Sequence, residues 1–160
     1  MKDDVLGYAC SPVATLAAAA GTAALLVKHT PDEAARFAIA VPVACGIGKL
    51  LKKLVHEPRP ELFLDDQPME SFPSGHSAAM TAFALSAVAA TRRWWMLPIA
   101  AGAVAAVNIS RVRQREHWAW DVIAGDLVGV AGFAAGAAAA YAVRHARKRR
   151  RERAMNHAPG

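Results

Sequence analysis

Apolar residues fill whole stretches of this chain instead of recurring once per helical turn, and short charge-dense connections separate the stretches. Five apolar segments stand out: Pro12 to Val27, Ala34 to Leu51, Ser71 to about Ala90, Trp94 to Ile109, and Trp118 to Val143. Each is near the length of about 20 residues that a helix needs to cross a bilayer core. A soluble helix keeps polar residues on its outer face every three or four positions. The run GDLVGVAGFAAGAAAAYAV has none after Asp126 on any face. The pattern therefore predicts an all-α integral membrane bundle of about five transmembrane helices rather than a soluble Ala-rich one. The first segment is short and weakly hydrophobic, so its insertion stays open.

Composition sharpens this picture. The chain has 160 residues, room for one domain, with 54% hydrophobic and 20% charged residues. Its mean hydropathy is only +0.19, because Ala is nearly neutral on insertion scales. A cleaved leader is not expected, since MKDDVLGYACSP carries acids where a basic region should be. Residues 1–143 read as a membrane-embedded domain and 144–160 as a basic cytoplasmic tail.

Charge then orients the spans. The tail RHARKRRRERAMNH follows the last span directly, which places the C-terminus inside, with Arg92, Arg93, Lys28 and Arg36 on the same side. The tail reads as a topology signal with incidental affinity for anionic lipid. Nucleic acid is not an expected partner, because no aromatic interleaving or fold motif accompanies the charge. The same count leaves Lys52, Lys53, Arg59, Arg111, Arg113 and Arg115 outside, against the rule. Cations kept on the wrong side are candidates for function.

Other features have plainer readings. Cys10 and Cys45 lack ligand-like spacing. Trp94, Trp95, Trp118 and Trp120 fall at span ends, as an aromatic belt does. Gly125 with Gly129, and Gly132 with Gly136, have the spacing of close helix contacts.

Three polar clusters fall on one side of the membrane. KKLVHEPRPE follows the second span with Lys52 and Arg59, SFPSGHS opens the third with Pro73, Ser74, Gly75 and His76, and SRVRQREHWAWD joins the fourth and fifth. Lys52, Arg59 and Arg111 would repel one another unless a polyanion such as a phosphoryl group joined them. Pro58 and Pro60 stiffen the chain around Arg59. A helix beginning near Pro73 presents unpaired amides and a positive dipole end to an anion. Ser74 adds a hydroxyl, Gly75 permits close approach, and His76 stands beside the bound group. His117 and Asp121 lie one turn apart on a single helix face. A carboxylate that fixes one imidazole nitrogen frees the other as a nucleophile, which suits His117, while His76 suits the acid.

KKLVHEPRP, FPSGH and SRVRQREHWAWD resemble the three motifs of the type 2 phosphatidic acid phosphatase superfamily, which also includes vanadium haloperoxidases and acid phosphatases. The match in kind, order and spacing covers Lys52, Arg59, Pro60, Pro73, Ser74, Gly75, His76, Ser110, Arg111, His117 and Asp121. The resemblance implies hydrolysis of a lipid phosphomonoester or diphosphate without metal or other cofactor. His117 would be the nucleophile, Asp121 its orienter and His76 the acid. Lys52, Arg59, Ser74, Gly75 and Arg111 would hold the phosphoryl oxygens. Substrates implied are polyprenyl diphosphate, phosphatidylglycerol phosphate, phosphatidic acid and polyprenyl-phosphosugar phosphates, with a lean toward cell-wall precursors. Better-known membrane members usually carry six spans against about five here, and a homodimer would supply the missing wall.

Three readings compete with that one. His76, His117 and Asp121 as metal ligands would face three repelling cations, a haloperoxidase using similar residues around vanadate is disfavoured by the membrane spans and the short chain, and a non-catalytic scaffold or lipid-binding protein survives only if replacing His117 leaves every function intact. The acidic loop from Glu61 to Glu70 would steer headgroups or balance cations, His56 lies between Lys52 and Arg59 and reads as a loop residue without a specific role, and Asp126 sits one turn inside the fifth span, where an ionisable residue faces the bundle interior or water.

Overall fold

The computed structural model describes residues 9–60 and 70–156. The loop that carries Glu61, Asp65 and Asp66 lies outside the described residues. Among those described, five helices follow in order: α1 (Pro12–Leu26), α2 (Pro31–Leu54), α3 (Gly75–Thr91), α4 (Leu97–Arg113) and α5 (Ala119–Asn156). A 3-10 turn, Trp94–Met96, leads into α4. The described residues contain no strand, only an isolated bridge between Pro58 and Glu70.

Local chemistry accounts for the helix ends. Ser11 accepts the amide of Ala14 at 3.1 Å and Pro12 follows it, so α1 starts with a cap and a residue that needs no amide partner. Asp32 and Glu33 occupy the first turn of α2, and Lys52 and Lys53 its last, each complementing the helix dipole. The third helix stops at Arg92, whose left-handed φ of 55° turns the chain toward α4.

Small side chains set the packing. The core joins Ala19, Phe37, Ala40, Val41, Ala44, Ala78, Ala79, Ala82 and Val128, so α1, α2, α3 and α5 meet through alanine. The two glycine pairs make the close contacts expected of them. A Cβ at Gly125 would lie 2.5 Å from the Ser74 carbonyl oxygen, and one at Gly132 2.5 Å from that of Ala40. The glycine stripe of α5 thus seats its first half on α3 and its second on α2.

The outside of the bundle is apolar, with Leu25, Leu50, Ile99, Ile123 and Leu127 exposed. Three segments are long and apolar enough to cross a membrane: Pro31–Leu54, Trp94–Arg113 and Ala119–Asn156. The first helix has 15 residues and α3 has 17. α3 is shorter than its apolar run because Ser74 caps it and the chain before Gly75 is not helical. The fifth helix runs beyond Val143 to Asn156, so the described part of the basic tail extends α5 by roughly 20 Å at 1.5 Å per residue.

The two ends of the bundle differ in chemistry. At one end Arg144 of α5 donates to Asp32 of α2 at 2.7 Å, and Glu33 pairs with Arg36 at 2.7 Å. The other end gathers the C-termini of α2 and α4 and the N-termini of α3 and α5. There the three polar clusters meet.

Candidate active site

The loop after α2 is held by its neighbours in the fold. Ser71 donates its amide to the Glu57 carbonyl at 2.7 Å and its hydroxyl to the Pro58 carbonyl at 3.3 Å. Lys52 Nζ donates to the carbonyls of Glu70 and Ser71 at 2.8 and 3.2 Å. From the other side, Trp118 Nε1 donates to the Pro58 carbonyl at 3.0 Å and Trp120 Nε1 to Glu57 Oε1 at 2.8 Å. The two indoles stack with centroids 5.2 Å apart and 7° between planes. These tryptophans, expected as a belt, fasten the Arg59 loop to the start of α5. Trp94 and Trp95 are exposed at the opposite end of α4, as belt residues are.

The start of α3 is tied to α5. Ser74 donates its amide to the Asp121 carbonyl at 2.9 Å. Its hydroxyl oxygen caps the helix, accepting the Ser77 amide at 3.4 Å and the Ser77 hydroxyl at 3.0 Å. Helix α3 begins at Gly75, with Pro73 two residues before it, so the Ser74 side chain serves its own helix first. His76, the second residue of α3, is half-buried. His56 is exposed.

The turn from α4 to α5 is shaped by Arg115, held at φ 55°. It allows the Glu116 amide to reach back to the Arg111 carbonyl at 3.2 Å. Glu116 then holds both arginines: its carbonyl accepts Arg59 NH1 at 3.0 Å and its carboxylate accepts Arg111 NH1 at 2.9 Å. The Arg111 side chain is 3% exposed. Sequence reasoning missed Glu116, although a lone acid inside a basic connection was a signal. Arg59 lies within electrostatic reach of Lys52, Arg111 and Asp121. The three cations are therefore neighbours, each anchored by protein oxygens.

His117 is buried beside them, with Nδ1 3.5 Å from Asp121 Oδ2, within ion-pair distance but without a hydrogen bond between them. The same Oδ2 accepts the Trp118 amide at 2.9 Å, which fixes the carboxylate at the first turn of α5. Burial, aided by Arg59 and Lys52, pushes the His117 pKa below its usual 6.5, while Asp121 acts in the opposite sense. A neutral imidazole at neutral pH results, with one nitrogen turned to a carboxylate. That arrangement equips the other nitrogen for nucleophilic attack in a cation-rich site.

Comparison with known proteins gives the family. The chain is 32% identical over 117 residues to an undecaprenyl-diphosphatase of Sulfolobus acidocaldarius, an alignment covering 68% of this chain and 56% of the relative. No solved structure matches. The family model described as the PAP2 superfamily matches residues 13–152, a range that takes in all three polar clusters, and the chain belongs to that superfamily.

Proposed function

We propose that the protein is a metal-independent lipid phosphatase that works through a phosphohistidine. The observation that carries this reading is the buried His117 with Nδ1 3.5 Å from Asp121, next to Lys52, Arg59 and Arg111 from separate segments. His117 attacks phosphorus with its free ring nitrogen. The bond from phosphorus to the leaving oxygen breaks, and His76 delivers a proton to that oxygen. Water then attacks the phosphohistidine, which releases phosphate and restores His117. Lys52, Arg59, Ser74, Gly75 and Arg111 spread the charge of the transferring group.

The substrate is a phosphate on a membrane-embedded alcohol. A polyprenyl diphosphate is favoured, because the Sulfolobus relative is an undecaprenyl-diphosphatase. The active-site end faces the extracytoplasmic side of the cell membrane, a reading supported by the basic tail at the other end of α5 under the positive-inside rule.

Phosphate release from polyprenyl diphosphate, phosphatidic acid and phosphatidylglycerol phosphate by the detergent-purified chain, with excess chelator, tests the reading. Release that survives chelation and disappears in His117→Ala supports it. Loss to chelator would point to a metal site, and no release from any lipid would favour a scaffold.

A further inference from the structure

One carboxylate inside the bundle binds two other helices at once. Asp126 Oδ1 accepts the Thr81 hydroxyl at 2.7 Å and Oδ2 accepts Asn108 Nδ2 at 2.7 Å. Thr81 belongs to α3, Asn108 to α4 and Asp126 to α5. These are the helices that present His76, Arg111 and the His117–Asp121 pair. Asp126 stands five residues after Asp121 and Asn108 three before Arg111, so the contact lies a turn or so below the phosphoryl site.

The peripheral helix needs such a contact. Only 11% of the apolar window of α4 is buried, and its buried described residues are Val107 and Arg111. The glycine stripe of α5 seats on α2 and α3, not on α4. In lipid, apolar surface alone gives two helices little reason to associate, and interhelical hydrogen bonds carry more of the specificity. Asn108 is adjacent to Val107 and shares a helix face with Arg111. Fixing Asn108 therefore fixes the height and rotation of the turn that carries the Arg111 guanidinium.

We propose that Asp126 is a positioning residue, a two-oxygen clamp on Thr81 and Asn108 that sets where Arg111 enters the phosphoryl site. The proposal rests on the phosphatase reading for its kinetic consequence, and on hydrogen bonding alone for its structural one. A proton-carrying role makes a different prediction for an amide at 126. Asn108 Oδ1 is buried without a hydrogen-bond partner. If Asn108 turns its amide over, that oxygen can accept from an Asp126→Asn side chain, whose own oxygen still accepts the Thr81 hydroxyl.

The test measures kcat/KM for polyprenyl diphosphate together with backbone hydrogen exchange over residues 104–113. Asp126→Ala should lower kcat/KM on the order of 10²-fold through misplacement of Arg111, and should speed exchange in α4. Asp126→Asn should recover most of both. Asn108→Asp alone, which sets two carboxylates face to face, should behave like Asp126→Ala, and Asn108→Asp combined with Asp126→Asn should be rescued. In an Arg111→Ala background Asp126→Ala should add far less loss than in wild type, as coupled residues do.

The clamp is overturned if Asp126→Asn is as damaging as Asp126→Ala, if the exchanged pair is not rescued, or if the losses at 126 and 111 simply multiply. Should wild type release no phosphate, the phosphatase reading fails by itself. The exchange measurements still decide the clamp, with unchanged exchange in Asp126→Ala counting against it.

Discussion

The backbone amide of Ser74 and the backbone carbonyl of Asp121 are joined at 2.9 Å, so the capping residue of one site helix hangs on the first turn of another. This bond links α3 to α5 near the point where His76 and His117 are presented. Its closeness depends on Gly125, where a Cβ would meet the Ser74 carbonyl oxygen at 2.5 Å and Ser77 Cβ at 2.8 Å. Gly125→Ala is therefore expected to destabilise the chain by about 1–3 kcal/mol through overpacking against backbone. It should also lower activity more than Gly136→Ala, which meets α2 far from the site. Thermal unfolding in detergent and phosphate release from both variants check this, and equal activities would contradict it.

Burial sets the pH response of His117. Its pKa lies below 6.5 because desolvation disfavours the cation, with Arg59 and Lys52 acting in the same direction and Asp121 against it. The attacking form is neutral, so activity is retained above that lowered pKa and lost as pH falls through it. The acid limb of kcat/KM should lie below pH 6.5. Asp121→Asn removes the one charged group that raises the pKa, which should shift the limb further down. The plateau should fall roughly 10²–10⁴-fold as the imidazole loses its orienter. A limb that moves upward in Asp121→Asn would refute this assignment.

Glu116 holds two arginines in different ways. Its carbonyl contact with Arg59 survives a side-chain change, whereas its carboxylate on Arg111 would compete with a phosphate bound as proposed. Glu116→Gln keeps an acceptor and removes the charge. Because the Glu116 side chain is 27% exposed, screening limits the effect to about 0.2–1 kcal/mol. Inorganic phosphate should therefore inhibit Glu116→Gln up to about fivefold more strongly than wild type. Weaker inhibition would mean that the charge aids binding instead.

The ion pairs at the opposite end should divide by burial. Arg144, with its side chain 52% exposed, pairs with Asp32 at 2.7 Å and Glu33 at 3.4 Å. Arg144→Ala should cost at most about 1 kcal/mol. Arg36 is 9% exposed, pairs with Glu33 at 2.7 Å and lies 5.8 Å from the centre of the Phe133 ring. Arg36→Ala leaves the buried Glu33 carboxylate only its longer 3.4 Å contact with Arg144 and should cost about 3 kcal/mol. Neither should change kcat/KM in the fraction that folds, and denaturation midpoints beside activity per folded molecule would show it.

Sequence made the helices legible because continuous apolar runs leave the backbone no other partner than itself. The glycine pairs were legible for a similar reason, since only a missing side chain suits that spacing on an apolar helix. Lys52, Arg59, Ser74, His76, Arg111, His117 and Asp121 could be named because each carries chemistry that an apolar environment does not tolerate idly. What could not be read was which oxygen each cation would meet. Lys52 turns to the carbonyls of Glu70 and Ser71, and Trp118 and Trp120 turn to a loop some sixty residues earlier. These partners are fixed by tertiary approach and leave no mark on local periodicity. Asp126 was marked as unusual by its depth in a span, but its partners Thr81 and Asn108 lie on other helices.

If phosphorus passes through His117, a phosphoenzyme forms in each turnover. Rapid quenching of the chain with lipid diphosphate labelled at the terminal phosphorus should trap label on the protein that is stable to base and lost in acid, as a phosphohistidine is. The label should map to His117 and be absent from His117→Ala. Steady release of phosphate with no trapped label in wild type and in a variant slowed at His76, or undiminished release from His117→Ala, would rule out a phosphohistidine at this position.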